Sequence, residues 1–337
     1  MARVGFCCKW IDTPDQIDGF KPGDPARAWN TRVTTVAWLN RQKRDDAEQR
    51  LWDLMVHNIE SIRLLINKVG ELDANKRMVR LGSDVLPVYT EPTWSYFWQR
   101  PDVKAYAEKA FAEVGDLARR LDTRLSFHPG QFCVLASDNP AIVDRSLAEF
   151  EYHADMIRMM GYGQKFQDFK CNVHIAGKQG AAGIIAALPR LSTEARNTIT
   201  IENDEMRHGI EESLLLKDHV ALVLDIHHHW IRTGEYIDPN DDRVRYIIDS
   251  WRGERPVIHY SVSREDYIIN HDPDIRPNMD ELLNLGFKKS KLRAHSDYYW
   301  NNAVNDWALS FSKDFDIQCE SKAKNLARDA FIKHLGT

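Results

Sequence analysis

The side chains with the most chemical potential are histidines and carboxylates that close short apolar runs. Phe127-His128, Val173-His174, Ile201-Glu202, Leu224-Asp225, Ile258-His259 and Cys319-Glu320 each end on an imidazole or an acid. With His228, His295 and Asp297 added, nine potential ligands result: His128, His174, Glu202, Asp225, His228, His259, His295, Asp297 and Glu320. Imidazole and carboxylate donors without thiolate suit manganese, zinc or iron. One ion takes about four to six donors, so the set is large enough for two or three ions sharing a carboxylate, with Glu202 as the natural bridge. Asp225 and His228 are three residues apart, and a turn after the strand would aim them at different ions. The triple His227-His228-His229 cannot all point one way from extended or turn backbone; strand alternation, which sets His228 apart from Asp225's immediate neighbour, favours it as the ligand, with His227 and His229 as supports or structure. A single buried histidine is more often hydrogen-bonded structure than a ligand; recurrence at one end of several runs is what argues for a cluster. Divalent ions about 3.5–4 Å apart serve phosphate-ester hydrolysis, by acidifying a water and neutralising charge around the phosphorus. No G-x-S-x-G elbow is present, and nothing points to a serine or cysteine nucleophile.

Such a cluster needs a frame that brings distant residues to one mouth. Strand-like runs occupy residues 3–8, 78–82, 124–128, 171–175, 198–202, 221–225, 257–261 and 314–320. Helical apolar spacing lies between most of them, over 46–69 (Leu51, Leu54, Met55, Ile59, Ile62 and Ile66 on one stripe), 101–121, 140–160 and, after the last, 321–335. Asp138 or Asn139 would cap the third, with Pro140 in its first turn. Eight βα units predict a TIM (β/α)8 barrel over residues 1–337 as a single domain, its ligands at the C-terminal strand ends. An open doubly wound sheet would bring a glycine-rich loop after its first strand, whereas Lys9-Trp10-Ile11-Asp12 stands there. Residues 13–35 and 264–306 do not fit simple βα units and would leave the catalytic face as long loops walling a groove.

The chain's 43% hydrophobic and 28% charged residues suit a soluble globular protein with a sizeable core. No apolar run approaches the ~20 residues of a membrane helix, and the first residues lack a signal-peptide layout, so a cytoplasmic protein is expected. Five cysteines without a C-x-x-C pair argue against a disulfide framework or a thiolate zinc site. The net charge of -5 argues against indiscriminate coating of nucleic acid, but cations bound in an acidic cleft would invert its sign locally. Arg41-Gln42-Lys43-Arg44 and Lys288-Lys289-Ser290-Lys291-Leu292-Arg293 are basic clusters that serve either as solvated surface or as phosphate contacts. Aromatic segments Thr93-Trp94-Ser95-Tyr96-Phe97-Trp98 and Tyr298-Tyr299-Trp300 either pack loops or stack on bases, as nucleotide-extruding enzymes do. Gln131-Phe132, directly after His128-Pro129-Gly130, is a compact pair placed for a wedge.

Taken together, Val79-Arg80-Leu81-Gly82-Ser83-Asp84-Val85-Leu86-Pro87, Ser126-Phe127-His128-Pro129-Gly130-Gln131-Phe132, His174-Ile175-Ala176-Gly177-Lys178-Gln179-Gly180, Thr200-Ile201-Glu202-Asn203-Asp204-Glu205, Asp225-Ile226-His227-His228-His229, Ile258-His259-Tyr260-Ser261, His295-Ser296-Asp297-Tyr298 and Glu320-Ser321-Lys322-Ala323-Lys324 resemble the ultraviolet-damage DNA endonucleases, in family order. The resemblance implies a TIM barrel with a manganese-type trinuclear centre, related to the endonuclease IV class. It implies action on damaged double-stranded DNA, with incision of the backbone 5′ of pyrimidine dimers or 6-4 photoproducts; with no obligate protein partner evident in the sequence, a monomer is expected. Mn2+ is the expected ion, two or three per chain, with Zn2+ or Mg2+ as alternatives. The implied ligands are His128, His174, Glu202, Asp225, His228, His259 and Glu320, with His295 added; Glu202, His259 and Glu320 carry the catalytic weight. Gln131 and Phe132 match the family's probing pair, and Trp10 and Tyr298 are further expected DNA contacts. Four positions depart from the family. Val257 stands where a lysine precedes the seventh-strand histidine by two, Glu91 replaces a histidine and is an expected ligand in its stead, and Phe6 and Trp10 take the places of an early tyrosine and asparagine. Other readings on the same barrel are an abasic-site endonuclease of the endonuclease IV type, a metal-dependent sugar isomerase and a non-catalytic damage-recognition protein.

Overall fold

The computed structural model describes residues 2–334. Eight parallel strands close into a barrel in chain order: β1 Val4–Cys8, β2 Met78–Leu81, β3 Arg124–Phe127, β4 Lys170–His174, β5 Ile199–Glu202, β6 Ala221–Asp225, β7 Val257–Tyr260 and β8 Asp316–Cys319, with β8 pairing back on β1. Each expected strand is found within a few residues of its expected ends. The strands are short and buried on both faces, so Val, Ile, Leu, Phe and Cys fill their helix-facing positions.

Helices wrap the outside. The Arg44–Gly70 helix buries the expected stripe of Leu51, Leu54, Met55, Ile59, Ile62 and Ile66. The Pro140–Met159 helix is capped by Asn139, whose Oδ1 accepts from the Ala141 amide at 3.0 Å, while Asp138 pairs with Lys178 at 2.6 Å. The final helix is Lys324–His334; its expected start at residue 321 comes three residues too early, and its expected end at Leu335 lies outside the described residues. No described helix is long and apolar enough to cross a membrane.

The Pro101–Arg120 helix crosses its neighbour closely at Gly115, where a Cβ would sit 1.9 Å from the Met160 carbonyl oxygen. Backbone cannot yield as a side-chain tip can. Gly115→Ala is expected to destabilise the chain by about 2 kcal/mol through overpacking, read as a lower urea midpoint at unchanged slope.

The barrel interior is unusually polar. Alternation in a strand puts residues two apart on one face, and the side-chain contacts of β4 show that Lys170, Asn172 and His174 all face inward. At the N-terminal end, Arg124 (2.6 Å) and Arg255 (2.8 Å) close on Asp316. A small apolar group of Met78, Ala221, Val223, Trp251 and Val257 packs separately from the main core. At the level of Asn172 and Thr200, a hydroxyl-to-amide hydrogen bond of 2.7 Å links the two strands. The C-terminal ends carry the ligand-type residues.

Candidate metal centre

Three overlapping groups gather at the barrel mouth: His128, His174 and Glu202; Glu202, Asp225 and His228; and Asp225, His259 and Glu320. Within each, one potential ligand atom per residue lies within 4.8 Å of the others. Seven of the expected ligands therefore converge from β3, β4, β5, β6, β7 and β8, or from the residues just after them.

Glu202 is the hub. Its Oε2 lies 3.0 Å from His259 Nδ1 and 3.4 Å from His128 Nε2, and its Oε1 lies 3.4 Å from His228 Nδ1. Asn172 donates to Oε2 from below. Burial opposes ionisation of Glu202, but His259, His174 and a hydrogen bond from His128 hold its carboxyl well below the usual range. Burial raises Asp225 well above its ordinary value, with the Glu202 and Glu320 charges adding to the effect. Burial likewise opposes charge on His228, yet Asp225 and Glu202 push it up to about 9.

Local structure explains which histidine of the triple enters the cluster. A helix, Ile226–Thr233, begins directly after β6 instead of an extended or turn segment, with Asp225 as its N-cap accepting from the His228 amide at 2.7 Å. Helical rotation separates the three rings by about 100° each. His228 faces Glu202; His227 stacks on Trp230 and meets His295 edge-on; His229 bonds Glu235 at 2.9 Å. Other rings are held by the backbone. His128 Nδ1 is bonded to the Pro129 carbonyl at 2.9 Å, which leaves Nε2 for the cluster.

The donor set fits divalent ions. Glu202 Oε1, Asp225 Oδ2, His174 Nδ1 and His259 Nδ1 are buried without a hydrogen-bond partner. Three carboxylates and four imidazoles in one buried pocket, several with unsatisfied atoms, are costly unless cations satisfy them.

Three expected ligands lie outside these groups. His295 stands beside them, its Nδ1 bonded to the Glu320 carbonyl oxygen at 3.0 Å. Asp297 is exposed and 3.5 Å from Lys322. Glu91 caps the turn that follows it, accepting from the Thr93 and Trp94 amides at 2.9 and 3.1 Å, so its carboxylate is spent on the backbone.

Four site residues were not recognised in the sequence. Arg80 on β2 bonds Glu320 and, with its neighbours, overcomes the burial that would keep that acid protonated. Glu205, inside the Glu202-Asn203-Asp204-Glu205 segment, comes within 3.7 Å of His228 Nε2 and pairs with Arg293 at 3.0 Å. That pair ties the second basic segment to the rim of the cluster. Asn172 and Lys170 stand two and four residues before His174; reading β4 backward by twos would have found both. Lys170 Nζ is 2.8 Å from His259 Nε2, and burial pushes its ammonium down to about 7. Val257 sits in the apolar group, so no lysine reaches the site from β7.

The expected DNA contacts divide. Gln131 is exposed, and Phe132 is 85% exposed on the loop after His128. Tyr298 is half-buried at the mouth loops. Trp10 is a correction: only 9% exposed, it packs edge-on against Phe6 under Lys68 and bonds Asp12 at 2.9 Å, which makes it core. Trp94, Phe97 and Trp98 are also buried, so that aromatic segment packs its loop.

Fold and site together define a TIM-type α/β barrel whose mouth gathers histidines and carboxylates suited to cations. The profile of the UV-endonuclease UvdE family matches residues 23–335. A UV DNA damage endonuclease of Bacillus cereus (strain 03BB102) is 25% identical over 328 residues, covering 93% of this chain and 91% of its own length. One from Bacillus anthracis has the same identity and coverage. Of solved structures, SacUVDE superposes with a TM-score of 0.72 at 20% identity, over 100% of this chain and 98% of its own. Endonuclease IV from Thermus thermophilus superposes with a TM-score of 0.52 at 13% identity, over 82% and 94%. The chain belongs to the UV-endonuclease UvdE family, and is an endonuclease of UV-damage DNA repair.

Proposed function

We propose that this chain works as one domain and one protomer on double-stranded DNA, and cuts the backbone 5′ of a pyrimidine dimer or 6-4 photoproduct. The observation that carries this reading is Phe132: a large apolar ring held in solvent on the loop that leaves His128. An exposed phenyl beside a polar cluster is poorly used in a free protein and well used between unstacked bases. Gln131 beside it supplies donors and acceptors for the bases left unpaired.

His128, His174, Glu202, Asp225, His228, His259 and Glu320 would hold two or three divalent ions, Mn2+ by preference, with His295 at the edge. Ions bound there supply a water of lowered pKa and charge neutralisation at a phosphodiester. The chain's own contribution is to pre-set the ligands. Asn172 and the three imidazoles fix Glu202 between the groups, Arg80 keeps Glu320 ionised and oriented, and the Asp225 cap points His228 inward. Arg293 and the basic segment before it lie at the rim, where a phosphate backbone would pass. Action on the nucleoid places the protein in the cytoplasm.

Supercoiled plasmid tests the whole reading. With Mn2+ present, ultraviolet-irradiated plasmid is expected to be nicked and untreated plasmid left closed; equal nicking of both would remove the lesion specificity.

A further inference from the structure

A buried lysine in a barrel interior needs a reason. Lys170 is 2% exposed, and desolvating an ammonium costs several kcal/mol unless a partner offsets it. It forms no short ion pair with any carboxylate: among the described residues its side chain has one hydrogen-bond partner, His259 Nε2 at 2.8 Å. The other face of the same ring looks the opposite way. His259 Nδ1 lies 3.0 Å from Glu202 Oε2 and 3.3 Å from Glu320 Oε1, inside the group of Asp225, His259 and Glu320. His259 itself is fully buried.

The two ring nitrogens are thereby assigned different tasks. A half-turn about the Cβ–Cγ bond would exchange Nδ1 with Cδ2 and Nε2 with Cε1. A carbon would then face the carboxylates, and the Lys170 amine would lose its partner. The bond to Lys170 therefore selects the ring orientation that presents nitrogen to the cluster. Acceptors bonded to the far N–H of a ligating imidazole commonly hold the ring in place; with Nδ1 turned to a cation, Nε2 carries the ring hydrogen and donates it to the Lys170 amine nitrogen. Val257, two residues before His259 on the same strand face, offers only methyl groups, so no polar support reaches the ring from its own strand.

We infer that Lys170 is the positioning residue of His259: reaching across from β4, its amine locks the imidazole with Nδ1 turned toward Glu202 and Glu320, and so sets the cation affinity of the Asp225, His259 and Glu320 corner. The inference rests on the metal-centre reading above and is independent of the DNA substrate.

Metal uptake tests it directly, with no turnover involved. The full-length chain is stripped with chelator and titrated with Mn2+, with bound metal measured by elemental analysis after equilibrium dialysis. Lys170→Met keeps most of the apolar stem and removes the amine; Lys170→Gln restores a polar head. Lys170→Met is expected to bind one Mn2+ at least tenfold more weakly than the wild type, with the remaining binding unchanged, and Lys170→Gln to recover part of the loss. In the metal-free wild type, nitrogen-15 chemical shifts of His259 are expected to report a hydrogen bond at Nε2 that Lys170→Met abolishes. A merely structural lysine would lower the melting temperature in chelator and leave the Mn2+ affinity of the folded fraction alone. Wild-type Mn2+ affinity in folded Lys170→Met overturns the inference; Lys170→Leu takes its place should Lys170→Met not melt cooperatively. A wild-type chain that binds no Mn2+ at all is a different outcome, and sinks the metal centre itself.

Discussion

Glu202→Gln is expected to lower nicking of irradiated plasmid by at least a thousandfold while the barrel stays folded. Glu202 is the acid that two of the three ligand groups share, with His128, His228 and His259 all within 3.4 Å of its oxygens. The amide has the same shape but no charge, and one of its two positions must set an NH2 against the Asn172 side-chain donor. Both effects act at the shared point, so binding in two groups suffers together. A thousandfold corresponds to about 4 kcal/mol of transition-state stabilisation, reasonable for a buried charge that organises a site. Stability should fall in chelator as well. Without cations, the imidazoles of His259, His174 and His128 stabilise the ionised Glu202 carboxylate in the folded state, so the neutral variant is expected to melt lower than the wild type while remaining folded at room temperature. Single-turnover nicking, elemental metal content and a thermal melt on one preparation check the three parts. Nicking retained at the wild-type rate would take Glu202 out of the mechanism.

The second large effect is expected from Gln131→Ala combined with Phe132→Ala. Burying a phenyl ring against bases stabilises a complex by about 2–3 kcal/mol, which is a loss of roughly thirty- to a hundred-and-fiftyfold in affinity for damaged duplex. Undamaged duplex, which does not open for the ring, should lose far less, so the damaged-to-undamaged ratio collapses. Neither side chain is a ligand, and Phe132 is 85% exposed, so metal content and melting temperature should not change. Fluorescence anisotropy with a defined photoproduct and its undamaged control reads the ratio. An unchanged ratio would assign the wedge to another loop.

Both expectations use residues that were visible in the one-dimensional pattern, and others at the site were not. The difference is physical. An acid or imidazole at the end of an apolar run is visible because buried strands tolerate polar residues mainly where they open at the mouth. That logic located His128, His174, Glu202, Asp225, His259 and Glu320, and the repeated βα spacing supplied the barrel. His228 was chosen over its neighbours for the wrong backbone: the helix that starts on the Asp225 cap, not strand alternation, sorts the three rings.

The linear order of residues thus determined the class of fold, the end of the barrel where polar residues gather and most of the histidines and acids that meet there, because strand periodicity and strand-end position are local properties. Only the tertiary structure decided that Glu91 caps a turn, that Asp297 faces solvent and that Trp10 belongs to the core, since each depends on which neighbours reach the side chain first. It also decided the partners beneath the cluster. Lys170 and His259 are 89 positions apart, and Arg80 and Glu320 are 240 apart. Closing eight strands into a ring is what makes such residues neighbours, and no local periodicity encodes which inward-facing side chain meets which across the barrel.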